Sequence, residues 1–219
     1  MEASRPGARE ADVAPAPDPT GGRAAGLWTP ADPGPLGLAA FALTTFVLSM
    51  INAKLVSGPL TDVPVVLGLA FAYGGVAQLI AGIWEFRTGN TFGAVAFCSF
   101  GAFWISFYIL VTNSIKLIPA AHVDSALGLY LWSWGIFTTY MFIASLRTTG
   151  AVALVFLLLA ATFIILGIGN SGGNVNTIKW GGYVGIATAI AAWYASFAAV
   201  INSTFGRVVA PVFPLRRAP

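Results

Sequence analysis

Charge is scarce in this sequence: 9% of its 219 residues are Asp, Glu, Lys or Arg, and it holds one cysteine, Cys98, and one histidine, His122. So few thiols and imidazoles exclude a disulfide framework, a zinc set, and any Cys/His or Ser/His/Asp constellation. Hydrolytic and metal-assisted chemistry lose their residues, so no enzyme, metal or cofactor is expected. There is also no basic patch with interleaved aromatics, which removes nucleic acid as a partner. Residues 1–31 lack the apolar core of about 7 to 15 residues that a cleaved signal peptide needs. Their Ala, Pro, Gly and mixed charges read as a disordered cytoplasmic leader.

What is abundant is apolar side chain, at 57% of residues with a mean hydropathy of +0.81. A water-soluble domain of this size has no use for so much. The apolar residues form runs long enough to cross about 30 Å of hydrocarbon as helices, which takes about 20 residues each. Six spans are expected, at Pro35–Val56, Val63–Trp84, Phe92–Thr112, Ser125–Leu146, Ala151–Gly169 and Ile178–Val200. The runs are continuous and rich in Ala, Leu and Gly, unlike the alternating segments of a transmembrane barrel. The fold class is an all-α integral membrane protein, with a six-helix domain over 32–206 and a short cytoplasmic tail over 207–219.

Orientation follows from Lys and Arg, which are retained on the cytoplasmic side near span ends. With the N-terminus inside, Arg5, Arg9, Arg23, Arg87, Arg147, Arg207, Arg216 and Arg217 fall inside, against Lys54, Lys116 and Lys179 outside. Both termini are therefore expected in the cytoplasm, and the membrane is an inner or plasma membrane.

Ionisable residues deep in a span are costly and usually functional. Lys54, Glu85, Arg87 and Arg147 all fall at span ends, leaving no buried carboxyl or imidazole to relay a proton. The spans carry neutral donors instead, among them Thr44, Thr45, Ser106, Thr138 and Asn170. For a Ser or Thr the plainer reading is a bond to its own helix carbonyl. Gln78 is different, because a mid-span amide cannot satisfy both its N–H groups locally and must bridge helices or face water. Gly74, Gln78 and Gly82, and likewise Gly181, Gly185 and Ala189, recur at four-residue spacing, which predicts one helix face and close packing.

The stretch DPGPLGL, Asp32 to Leu38, opens the first span. Locally it is a helix start, with Asp32 as the cap, Pro33 and Pro35 placed where amides have no helical partner, and Gly37 making room for a neighbour. The same heptapeptide resembles the signature NPAPLGL of the acetate uptake transporter family, the YaaH-like or succinate-acetate permease-like proteins of bacteria, archaea and fungi. The block YGGVAQLIAGIWEFRTGNTFGAVAFCSFGAFW, Tyr73 to Trp104, is similar to that family's second and third spans, and GIGN at Gly167 to Asn170 and FGR at Phe205 to Arg207 come after it in order. The likeness covers residues 31 to 210.

The resemblance implies a homo-hexameric ring in the lipid bilayer, each protomer holding its own pore for acetate and related small monocarboxylates, with succinate in some members. It implies a hydrophobic narrowing of Phe41, Phe100 and Leu159 flanked by Thr44, Gln78, Asn170 and Ala192. Phe100 stands where the family often has Tyr. In the signature, Asp32 replaces Asn and Gly34 replaces Ala, beside the shared Pro33, Pro35, Leu36, Gly37 and Leu38. The residues leave open an anion channel or a proton-linked transporter. They also leave open a channel for another small solute such as ammonium or water, and a membrane scaffold or sensor.

Overall fold

The computed structural model describes residues 28–56 and 64–215. The expected leader, all but its last four residues, and Arg216 and Arg217 of the tail lie outside the described residues. Among the described residues six helices are long and apolar enough to cross a membrane. They are α1 Gly34–Asn52, α2 Pro64–Thr88, α3 Thr91–Thr112, α4 Val123–Ser145, α5 Gly150–Ser171 and α6 Val175–Phe205. The chain is an all-α, multi-pass membrane protein.

The helix ends depart from the expected spans where capping, not hydropathy, decides. α2 runs past Trp84 to Thr88, where Gly89 at φ 79° stops it. α6 runs past Val200 to Phe205, where Gly206 at φ 62° does the same. Left-handed backbone at these two positions suits glycine, which has no Cβ to clash. Asn90, Thr149 and Asn174 open α3, α5 and α6, each accepting a hydrogen bond from an amide three residues on. At α1 the cap is Pro33, not Asp32, and Pro33 has no side chain to offer. Asp32 stands one residue further out and its Oδ1 accepts from the Gly34 amide at 2.9 Å. Because Pro33 lacks an N–H, the Gly34 amide is the first free donor, so the capping chemistry survives with its register moved by one.

α2 contains a wider turn, a π-helical segment over Ala72–Ala77. The extra residue breaks the four-residue periodicity between Gly74 and the regular helix that resumes at Gln78, so Gly74 and Gly82 do not share one face. A Cβ on Gly74 would meet the Thr44 side chain of α1, whereas one on Gly82 would meet the Cys98 backbone of α3.

The helices close a ring in which α2 pairs with α3, α1 lies against α2 and α6, α6 packs on α5, and α5 on α4, while the α3/α4 seam is the loosest. Glycines allow the tight contacts: Gly101 approaches the Leu79 backbone, Gly182 the Ala53 backbone, and Gly185 the Ser49 side chain. Aromatic rings fill the loose seam. Phe103 packs on Tyr130 and Trp134 with centroids 5.7 Å and 5.1 Å apart, and Phe100 meets Phe137 at 5.3 Å.

Candidate functional site

The middle of the ring is closed by side chains, with open space on either side of the plug. A small cavity of about 20 Å³ is lined by Leu38, Phe41, Gln78, Ala96, Phe97, Phe100, Val155, Phe156 and Leu159. That volume is room for about one water. Phe41 and Phe100 sit 5.8 Å apart across it, and Phe100 also stacks with Phe163 at 6.4 Å. Phe41, Gln78, Phe100 and Leu159, four of the residues expected at the narrowing, are thus brought together, all buried.

A far cavity of about 250 Å³ shares Phe41 and Leu159 with the narrow one. It opens towards the end of the bundle where α1 finishes, and its wall includes Thr45, Leu48, Ser49, Asn52, Trp104, Tyr130, Thr162 and Asn170. A near cavity of about 330 Å³ shares Leu38, Ala96, Phe97 and Phe156, and lies at the end where α1 begins. Its wall includes Asp32, Gly34, Pro35, Glu85, Asn90, Thr148, Thr149, Asn202 and Val212. The three spaces succeed one another from end to end of the helices through a dry waist.

Two expected residues fall elsewhere. Thr44 lines none of these cavities; its hydroxyl bonds the Ala40 carbonyl at 2.9 Å, and it packs against Gly74. The stripe of α1 that faces the far cavity is Phe41, Thr45, Leu48, Ser49 and Asn52, so of the Thr-Thr pair it is Thr45 that lines that wall. Ala192 is fully buried in the aromatic cluster around the waist and lines no cavity. Asn170 does face the far cavity, with its Nδ2 already donating to the Leu166 carbonyl at 2.8 Å. In the signature, Leu38 lines the waist, Gly37 makes room for the Phe97 ring, and Leu36 is exposed. Pro35 is held by its carbonyl, which accepts from Ser196 Oγ of α6 at 2.7 Å.

Hydrogen bonding along the path is incomplete. Among the described residues three buried side-chain atoms have no hydrogen-bond partner, and they are Thr45 Oγ1, Gln78 Oε1 and Trp104 Nε1. All three residues line the far cavity or the waist. An unpaired buried polar group costs about 1–3 kcal/mol, and three such groups fall along one route. Thr45 and Trp104 carried no sequence signal of this. A Thr-Thr pair does not say which hydroxyl faces inward, and an indole among seven tryptophans does not announce a missing partner.

The expectation that no buried titratable group faces the route is corrected by Glu85. It sits at the span end as expected, but it is only 2% exposed and lines the near cavity. Its Oε2 accepts from Asn90 Nδ2 at 2.9 Å and from Thr88 Oγ1 at 3.1 Å. Hydropathy marked Glu85 as an exposed end because it cannot see α3 folding back through Gly89 and Asn90 to cover it. Among the described residues no three His, Cys, Asp or Glu side chains converge on a point that could hold a metal ion.

Relatives share this architecture. The chain is 45% identical over 197 residues to acetate permease A of Emericella nidulans, a match covering 83% of the chain and 65% of that protein. It therefore spans about two thirds of the fungal relative's length. It is 38% identical over 183 residues to the succinate-acetate/proton symporter SatP of Escherichia coli, covering 83% of the chain and 95% of that protein. The solved structure of the bacterial acetate channel SatP superposes with a TM-score of 0.77 at 37% identity, over 84% of the chain and 99% of SatP. With residues 24–217 matching throughout, the chain belongs to the GPR1/FUN34/yaaH family.

Proposed function

We propose that this protein transports acetate and related small monocarboxylates, with succinate as a further candidate, through the three cavities of each protomer. The observation that carries the reading is the coincidence of an apolar waist with the unpartnered groups of Gln78, Thr45 and Trp104. A small carboxylate needs donors to replace its hydration and a dry zone short enough to cross. Desolvating a charge without partners is prohibitive; the unpartnered donors, Thr45 Oγ1 and Trp104 Nε1, line the cavity that adjoins the waist, while the unpartnered Gln78 atom, Oε1, is an acceptor. The printed names of acetate permease A and SatP support the substrate class.

The finer reading is a homo-hexamer in an inner or plasma membrane, with both termini in the cytoplasm, so that the near cavity is the cytoplasmic mouth. It is a transporter, not an enzyme. Uptake of labelled acetate into proteoliposomes, with voltage and pH set separately, tests it. Accumulation that propionate and formate compete for is expected, and ammonium is not expected to compete. Deleting residues 1–27 leaves the flux standing, and its loss would favour a scaffold or sensor instead.

A further inference from the structure

The geometry points to Glu85 as the residue that sets which charge passes the near mouth: neutral, it donates a hydrogen bond to a passing carboxylate, and ionised, it bars one. The inference rests on the transport reading above and names the group that controls it.

Four observations converge. Glu85 is buried, yet its side chain forms part of the near cavity wall. Its Oε2 is held by Asn90 and Thr88, while its Oε1 has no partner among the described residues. Glycines clear the space around that free oxygen: a Cβ on Gly93 would come within 2.6 Å of it, and one on Gly34 within 3.5 Å. Lastly, among the described residues the near cavity wall has two acidic side chains, Asp32 and Glu85, and no Lys or Arg.

An anion-conducting path whose described wall holds carboxylates and no cation contradicts itself if both carboxylates are charged, because like charges at this range repel strongly away from bulk water. The contradiction disappears if Glu85 keeps its proton. A neutral carboxyl has one O–H donor, and the unpartnered Oε1 is the atom placed to carry it into the cavity. The Asn90 amide then holds the other oxygen as acceptor at 2.9 Å, while the single Thr88 hydroxyl proton is shared with the Glu85 backbone carbonyl at 2.9 Å.

The charged and titratable groups around Glu85 leave this unopposed. From α1 the facing group is Asp32, whose Oδ1 lies 3.0 Å from the Cβ position of the same Gly34 and accepts from the Gly34 amide. From α3 the facing group is the neutral Asn90, and the α5 and α6 walls contribute the neutral Thr148, Thr149 and Asn202. Arg87, on the same helix as Glu85, is turned to the Trp28 carbonyl at 3.1 Å. Arg147 and Arg207 do not line the cavity.

The test is acetate current through the full-length protein in planar bilayers from about pH 4 to about pH 8, bracketing the ordinary carboxylate range, with acetate anion concentration held constant. Current reports the anion alone, and labelled acetate uptake is followed in parallel. Wild type is expected to lose current by about tenfold or more as pH rises, the scale of a close like-charge penalty. Glu85→Gln, always neutral and still a donor, is expected to stay level within about twofold. Should that variant not assemble, Asp32→Asn serves: it removes a neighbouring negative charge, so the fall in current is expected at lower pH. Coincident profiles in wild type and the variant tested overturn the proposal, as does a Glu85→Gln protein that takes up labelled acetate but passes no current. Wild type that takes up no labelled acetate at any pH overturns the transport reading, and this proposal with it.

Discussion

Gln78 shows what a single side chain contributes to a path that otherwise repels polar groups. Its amide is buried at the waist with its acceptor Oε1 unpaired, a state that costs stability. Gln78→Leu is therefore expected to raise the thermal midpoint slightly while acetate flux falls several-fold, because the waist loses its polar side chain. A Gln78→Leu protein with full flux would take the amide out of the path. Trp104→Phe makes the same comparison in the far cavity, keeping the ring and removing the orphaned N–H. Folding stability is expected to hold, and half-saturating acetate to rise several-fold if the indole meets substrate. Phe41→Asp and Leu159→Asp place a charge in the dry waist and are expected to abolish flux or change its selectivity, whereas Phe100→Tyr is expected to leave it largely intact. Unchanged transport in both Asp variants would remove those residues from the waist's function.

Among the elements, the corner between α2 and α3 carries most of the near mouth. Asn90 caps α3 through the Gly93 amide at 3.1 Å and donates to Glu85 at 2.9 Å, so one side chain both starts a helix and holds the mouth carboxyl. Asn90→Ala is expected to cost about 1–2 kcal/mol, in the range for a lost cap, read as a lower thermal midpoint in detergent. It also frees Glu85 Oε2, so the pH profile of acetate current is expected to change where an ordinary surface cap would leave it alone. The α2/α3 contact depends on Gly101, where a Cβ would lie 2.8 Å from the Leu79 backbone nitrogen. Backbone cannot swing aside as a side chain can, so Gly101→Ala is expected to destabilise by about 1–3 kcal/mol. An unchanged midpoint would mean the helices can separate without penalty.

Seen as a whole, the molecule folds its last described residues back onto the near mouth. Gly150 and Ala151 donate to the Phe213 and Val212 carbonyls at 2.7 Å and 3.2 Å, and Asn202 and Tyr194 hold residues 209–211. Val212 thereby becomes part of the near cavity wall. The short tail thus closes one side of a vestibule through its described residues. Truncation after Gly206 is expected to lower the thermal midpoint and to weaken selectivity among monocarboxylates of different size, measured by competition. Equal competition in the truncated and full proteins would reduce the tail to a strap for α5.

Chain-local chemistry accounts for the part of this protein that is legible in its sequence. Continuous apolar runs of membrane length specify six helices, because backbone in hydrocarbon must be paired within a helix or a closed barrel and a barrel needs alternating strands. Glycines, prolines and caps mark where helices stop, and the sequence blocks around Asp32 and Gln78 point to the family. Rotational phase and cover lay beyond the reach of the sequence by itself. The π turn in α2 puts Gly74 out of phase with the helix that resumes at Gln78, so that Gly74 meets α1 while Gly82 meets α3. The phase of α1 puts Thr45 rather than Thr44 towards the far cavity. The return of α3 over the end of α2 buries Glu85. Each is a matter of which helices lie within a few ångströms of one another, and only the closed ring decides that.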